Sequence, residues 1–120
     1  MFDYIVYKDR HGKDTISQYI NELAGKAKTS KTHRIELKKI IQYLDILKAY
    51  GTRAGEPYMK HLDGDLWELR PSDNRIIYAY WTDNTFILLH YFKKQTQKTP
   101  IREIEQARKN LADWLERSDG

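Results

Sequence analysis

The stretch MKHLDGDLWELRPSDNRIIYAYWTDNTFILLHYF, from Met59 to Phe92, decides the fold of this chain. Apolar and polar residues alternate through it with a period of two. It divides into four runs, MKHL, DLWELR, RIIYAYW and TFILLHYF, rich in aromatic and β-branched side chains. Between the runs stand Asp63-Gly64, then Pro71-Ser72-Asp73-Asn74, then Asp83-Asn84. Gly, Asn and Asp tolerate left-handed backbone and Pro pre-sets φ, so these are turns, and Asp83-Asn84 is a strong hairpin signal. Connections this short join antiparallel neighbours, so the stretch predicts a four-stranded meander.

Working outward, the period becomes helical. Asp14 or Thr15 is placed to cap a helix with apolar positions Ile16, Tyr19, Ile20 and Leu23, and Gly25 is expected to end it. A second helix is predicted from about Ser30 to Tyr50, with a stripe of Ile35, Leu37, Ile40, Ile41, Leu44 and Leu47. Gly51, Gly55 and Pro57 mark its exit. At the start, Phe2, Tyr4 and Val6 alternate as a strand that Gly12 breaks. Downstream, Pro100 opens a last helix with Ile101, Ile104, Ala107, Leu111, Trp114 and Leu115 on its stripe, ending in SDG. The expected architecture is β-α-α, an antiparallel meander and a closing helix: an α+β fold in one domain over residues 1–120.

The chain contains no Cys. That excludes a disulfide scaffold, a thiol nucleophile and Cys-based metal sites, and it fits a reducing compartment. No apolar run has the length of a membrane span, and the start MFDYIVYKDRHGK lacks the hydrophobic stretch of a signal peptide, so a cytoplasmic protein is expected. The formal charge of +4 is unevenly spread. Lys26, Lys28, Lys31, Arg34, Lys38 and Lys39 share their segment with one acid, Glu36, and Lys93, Lys94 and Lys98 share theirs with none. Such clusters suit a polyanionic partner, whose counterions are released on binding. For the first cluster a solvated lysine-rich helix face is the competing reading.

Familiar catalytic signatures are missing. There is no Gly-rich phosphate loop, no helical His pair and no serine elbow, so neither a metal nor a cofactor is expected. What remains is a set of cationic and ring-bearing residues at strand ends: Lys60 and His61, Arg70, Arg75, then His90, Tyr91, Lys93 and Lys94. Arg70 and Arg75 flank one turn and must lie close together, which is costly unless a carboxylate (Glu68 or Asp73) or a ligand phosphate sits between them. Cleavage of RNA by its own 2′-hydroxyl needs no metal. Arg and Lys stabilise the phosphorane, while His or Tyr carries protons or stacks on a base.

Within Lys60–Ala107 the residues Lys60, Leu62, Gly64, Leu66 to Arg70, Arg75 to Tyr78, Leu88 to Pro100, Glu103, Ile104 and Ala107 form a longer pattern. It reads K-x-L-x-G-x-L-W-E-L-R, then R-I-x-Y, then L-L-H-x-F-K-K-x-x-x-K-T-P and E-I-x-x-A. This pattern resembles the phage-derived HigB branch of the RelE/ParE toxin superfamily. The resemblance implies a ribosome-dependent mRNA endonuclease, the toxin of a type II toxin–antitoxin system. It also implies the ribosome and mRNA as partners, and a cognate antitoxin, a helix-turn-helix protein that forms a hetero-oligomer with the toxin.

By the same resemblance Arg75 matches the Arg that contacts the scissile phosphate, Arg70 the Arg of the ELR motif, and Lys93 and Lys94 the basic residues of the last strand. Tyr91 shares the strand parity of Lys93 and joins this catalytic set, with Lys60, His61 and Lys98 expected to bind RNA. His90 shares parity with Leu88 and Phe92 and reads as a core histidine. Trp67, Trp81 and Trp114 read as core or partner contacts. The chain departs from RelE itself in carrying Glu68 where RelE has Lys. Where many HigB toxins place a His in the site with an acid near the C-terminus, it ends in the long helix to Trp114 and the polar ERSDG, so the proton carriers stay unassigned. The rival functions are a ParE-like toxin that binds DNA gyrase without cutting, and a non-catalytic RNA-binding domain.

Overall fold

The computed structural model describes residues 1–118; Asp119 and Gly120 of the predicted SDG ending lie outside the described residues. Strand β1 (Asp3–Val6) leads into helices α1 (Thr15–Ala27) and α2 (Lys31–Tyr50) and a single 3₁₀ turn at Gly51–Ala54. Strands β2 (Met59–Asp63), β3 (Leu66–Leu69), β4 (Asn74–Thr82) and β5 (Thr85–Lys93) follow, and helix α3 (Ile101–Ser118) closes the chain. This is the α+β order expected, with the meander intact. The five strands form one sheet in the order β1-β5-β4-β3-β2, with β1 parallel to β5 and the other pairs antiparallel.

Local chemistry accounts for the element ends. Asp14 caps α1 by accepting from Ser17 N at 2.5 Å, and Ser30 caps α2 by accepting from His33 N. Gly25 does not stop α1, which continues through it to Ala27. Glycine weakens a helix interior by about 1 kcal/mol, and here the packing of Leu23 and Ala27 outweighs that preference. Asp83 and Asn84 both take positive φ (50° and 57°), the backbone of a tight two-residue hairpin. Gly51 is required at the end of α2: its φ is +61°, and a Cβ there would stand 2.8 Å from the Phe2 ring.

The sheet is covered on both faces. Helices α1 and α2 bury Ile16, Leu23, Ile40, Leu44 and Leu47 against Met59, Leu69, Ile76, Tyr78, Phe86 and Leu88. Helix α3 buries Ala107 on the other face against Leu66, Ile77, Ala79, Ile87, Leu89 and Phe92, and there Trp81 and Trp114 meet edge to face, centroids 5.3 Å apart. The C-terminal helix is also tied to the N-terminal segment, where Tyr7 donates to Asp113 at 2.7 Å and Arg117 donates to the Lys8 carbonyl. Two members of the predicted α2 stripe depart from it: Ile35 and Ile41 are exposed. A third difference lies in β5. Ile77 pairs with His90 while Tyr78 pairs with Leu88, so Leu89 is an extra residue that shifts the alternation. His90 therefore shares a face with Leu89 and Phe92, not with Leu88.

Candidate active site

Two rows of side chains cross the sheet side by side on opposite faces. Register aligns Lys60, Glu68, Ile77 and His90 across β2 to β5 on the α3 face. The neighbouring row, Met59, Leu69, Ile76 and Tyr91, lies on the α1–α2 face. The predicted site residues divide between these faces.

On the α3 face the centre is Glu68, a carboxylate only 1% exposed. Its Oε1 stands 3.3 Å from Arg70 Nε and 3.7 Å from Arg75 Nε, and its Oε2 accepts from Thr99 Oγ1 at 2.8 Å. Of the alternatives open in the sequence, Glu68 is thus the acid between the two arginines. Arg75 is 6% exposed, and its Nη1 donates to the carbonyls of Ser72 (2.7 Å) and Asn74 (2.8 Å), clasping the turn in which Ser72 holds a positive φ. Burial weakens the hold of the Arg75 guanidinium on its proton. The positive charge of Arg70 adds to that, while Glu68 and Asp73 oppose it. Neither ion pair is aligned as a hydrogen bond: Glu68 Oε1 and Arg70 Nε are both buried without a hydrogen-bond partner. Lys60, His61, Arg70, Lys98 and Thr99 line a cleft in front of this centre. Three cations thus line it beside Arg75, with one buried carboxylate behind them. The chemistry of such a lining suits an anion.

The opposite face holds Tyr91 and Lys93, with three residues that the sequence did not single out as functional. Glu36 of α2 accepts on Oε1 from Tyr19 (2.6 Å), Asn74 Nδ2 (3.0 Å) and Lys93 Nζ (3.3 Å). Tyr91 donates to Asn74 Oδ1 at 2.7 Å and stacks on Tyr19, ring centroids 3.9 Å apart. Burial alone would raise the Glu36 carboxyl, but the donors from Tyr19, Asn74 and Lys93 outweigh it and hold the group below its ordinary value. The phenols move the other way. Tyr19 is raised by burial and then by its bond to Glu36, and Tyr91 is raised mainly by burial. Both therefore remain protonated donors. A signal for Glu36 was present: one acid in a basic run is placed to turn inward.

Lys94, His61 and His90 make contacts of their own. Lys94 is half-buried at the end of β5, where its backbone N–H donates to the Asp73 carbonyl at 2.7 Å. The His61 ring binds the Gly64 carbonyl at 2.7 Å and meets Trp67 edge to face. His90 is buried, as expected, with Nε2 2.8 Å from Glu103 and Nδ1 3.3 Å from Thr15 Oγ1. The Glu103 carboxylate accepts from Nε2, and the Thr15 hydroxyl that meets Nδ1 also accepts from Tyr91 N. That chain ties α1, β5 and α3 together.

Residues 19–112 match the family model described as Phage derived protein Gp49-like (DUF891). The chain belongs to the Gp49-like family. The match covers all of β2 to β5 and both clusters. The Gp49-like family is associated with the toxins of toxin–antitoxin systems, which implies an antitoxin partner. No match was found among curated proteins. Among the described residues, no helix of this Gp49-like protein is long and apolar enough to cross a membrane.

Proposed function

We propose that this Gp49-like protein is a HigB-like, cytoplasmic toxin that cuts mRNA in the ribosomal A site without a metal. The observation that carries the reading is the α3-face cleft, where Lys60, Arg70 and Lys98 gather around one buried, incompletely hydrogen-bonded carboxylate. In this reading a backbone phosphate of mRNA enters the cleft. The 2′-oxygen of the preceding ribose attacks phosphorus and loses its proton, and the 5′-oxygen of the next nucleotide leaves and gains one. The product carries a 2′,3′-cyclic phosphate. Arg70, Lys60 and Lys98 face the phosphate oxygens as their charge grows, which is usually the largest catalytic term.

Arg75 acts as a positioning residue. Fixed on the Ser72 and Asn74 carbonyls, it holds Glu68 and thereby sets the angle of Arg70. His61 flanks the cleft and contacts the RNA strand. Lys94 closes the strand end behind it. Tyr91 and Lys93 brace β5 against α1 and α2 from the other face. The cleft is rich in charge and poor in acid–base pairs, so alignment of the 2′-hydroxyl falls to the ribosome.

The test is primer extension on a defined mRNA incubated with purified protein, with and without programmed ribosomes. Discrete cuts within translated codons, absent on naked RNA and insensitive to chelators beyond their effect on the ribosome, are expected. Efficient cutting of free RNA would refute the ribosome dependence. No cutting, with arrest of gyrase supercoiling instead, would transfer the protein to the gyrase-binding class.

A further inference from the structure

The basic run between Lys26 and Lys39 takes no part in the cleft described above, and the structure gives it a different character from a solvated lysine face. Lys31, Arg34, Ile35, Lys38 and Ile41 recur at helical spacing on the outer side of α2, where Leu37 completes a shallow apolar groove. Ile35 is 59% exposed and Ile41 50%, both β-branched side chains left to water on a helix whose other side is fully packed. We propose that this face is where the antitoxin docks, through an amphipathic helix that sets its apolar residues on Ile35 and Ile41 and its Asp and Glu residues against Lys31, Arg34 and Lys38. The inference rests on the toxin reading above and names the partner chemistry that reading leaves open.

Charge selects the occupant. The segment's one acid, Glu36, points inward to Tyr19, Asn74 and Lys93, so its negative charge does not offset the outer row. A second copy of this chain would bring lysines against lysines across a self-complementary contact. RNA would satisfy the lysines but gain nothing from two isoleucines between them. A helix with an apolar stripe and acidic flanks satisfies both features, as in helix-in-groove recognition, where an amphipathic helix lays its apolar face into an apolar groove. The groove also lies across the sheet from the cleft, so a docked helix leaves the cleft's lining residues untouched.

The probe is the antitoxin, defined as the neighbouring gene product whose co-expression restores growth to cells making the wild-type chain. Ile35→Asp with Ile41→Asp, and separately Lys31→Glu with Arg34→Glu and Lys38→Glu, are tested for growth arrest, for rescue and by calorimetric titration of the purified pair. Both variants are expected to arrest growth, to melt near the wild type and to bind the antitoxin at least roughly 30-fold more weakly, as loss of central anchors does. The milder Ile41→Ala should fall between. Undiminished rescue and affinity would overturn the docking site. So would a folded variant that no longer arrests growth, because it would assign the face to the ribosome. Assembly of the chain alone into dimers that Ile35→Asp with Ile41→Asp disrupts would assign it to a second copy. If the wild-type chain arrests nothing, the toxin reading itself fails, a result distinct from all of these.

Discussion

The two polar clusters lie on opposite faces of one sheet, in adjacent rows, and they are built on opposite principles. Around Glu36 each donor has an acceptor: three groups converge on one oxygen, and Asn74 passes the chain on to Tyr91. Around Glu68 the balance is broken. Two guanidiniums face one carboxylate at 3.3 and 3.7 Å without aligned hydrogen bonds, and Lys60 and Lys98 add positive charge nearby. A completed network braces; an incomplete one with excess charge has capacity left for a ligand. Type of residue does not separate the two, since both contain an acid, a cation and hydroxyl donors. The difference is how many valences remain open after folding.

The largest effect expected is on stability, at Glu68. Glu68→Ala leaves Arg75 buried without its counter-charge and should cost about 3–5 kcal/mol, read as a lower midpoint in urea. An unchanged midpoint would mean that the carbonyls of Ser72 and Asn74 alone support Arg75. Next is Arg70→Ala, which should lower ribosome-dependent cleavage on the order of 10²–10³-fold, about 3–4 kcal/mol of barrier, with melting little changed because Arg70 is partly exposed. Arg75→Ala should lose activity and stability together, and Arg75→Lys should restore only part of each, since an ammonium lacks the fork. If Arg75→Ala abolishes cleavage without changing the melt, Arg75 faces the phosphate directly and its positioning role is wrong.

On the other face, Glu36→Gln should leave cleavage near wild type and cost roughly 1–2 kcal/mol at neutral pH, the usual worth of hydrogen bonds to a charged acceptor. Its signature lies in acid. The folded carboxyl titrates below its ordinary 4.5, so its stabilisation is complete above that pH and is lost as pH falls through the depressed value. Urea midpoints of wild type and Glu36→Gln should converge below about pH 4.5. A constant gap down to acid would show that Glu36 is not held as the anion. Smallest is Tyr78→Phe. The hydroxyl of this fully buried ring has no hydrogen-bond partner, so its removal should be neutral or stabilise by up to about 1 kcal/mol.

Local rules made most of the fold legible in the sequence. The meander followed from alternation and from turn residues such as Asp83-Asn84, and the helices from periodicity and from the cap expected at Asp14 or Thr15. What escaped is non-local. No periodicity tells that β1 runs parallel to β5, and one inserted residue, Leu89, moved His90 to the other face. Tyr91 and Lys93 kept their shared parity, but only the packing of α2 reveals that they meet Glu36. The proximity of Arg70 and Arg75 was readable from their turn. The burial of Arg75 was not, because it depends on packing between elements distant in the chain. Ile35 and Ile41 kept helical spacing, yet spacing counts apolar positions without saying which neighbour covers them.

The pairing of β1 with β5 also sets a schedule. Asp3 pairs with Thr85, and α1, α2 and β2 to β4 all lie between them in the chain. The anchors from Asp113 to Tyr7 and from Arg117 to Lys8 come later still. Closing contacts this distant in sequence is slow, and it waits for the later partner to emerge. A chain interrupted before α3 would thus keep β1 paired with β5 but lack the anchors at Tyr7 and Lys8 and leave one face of its sheet bare, a substrate for proteases. This long-range stitching makes α3 the element on which the protection of that face depends.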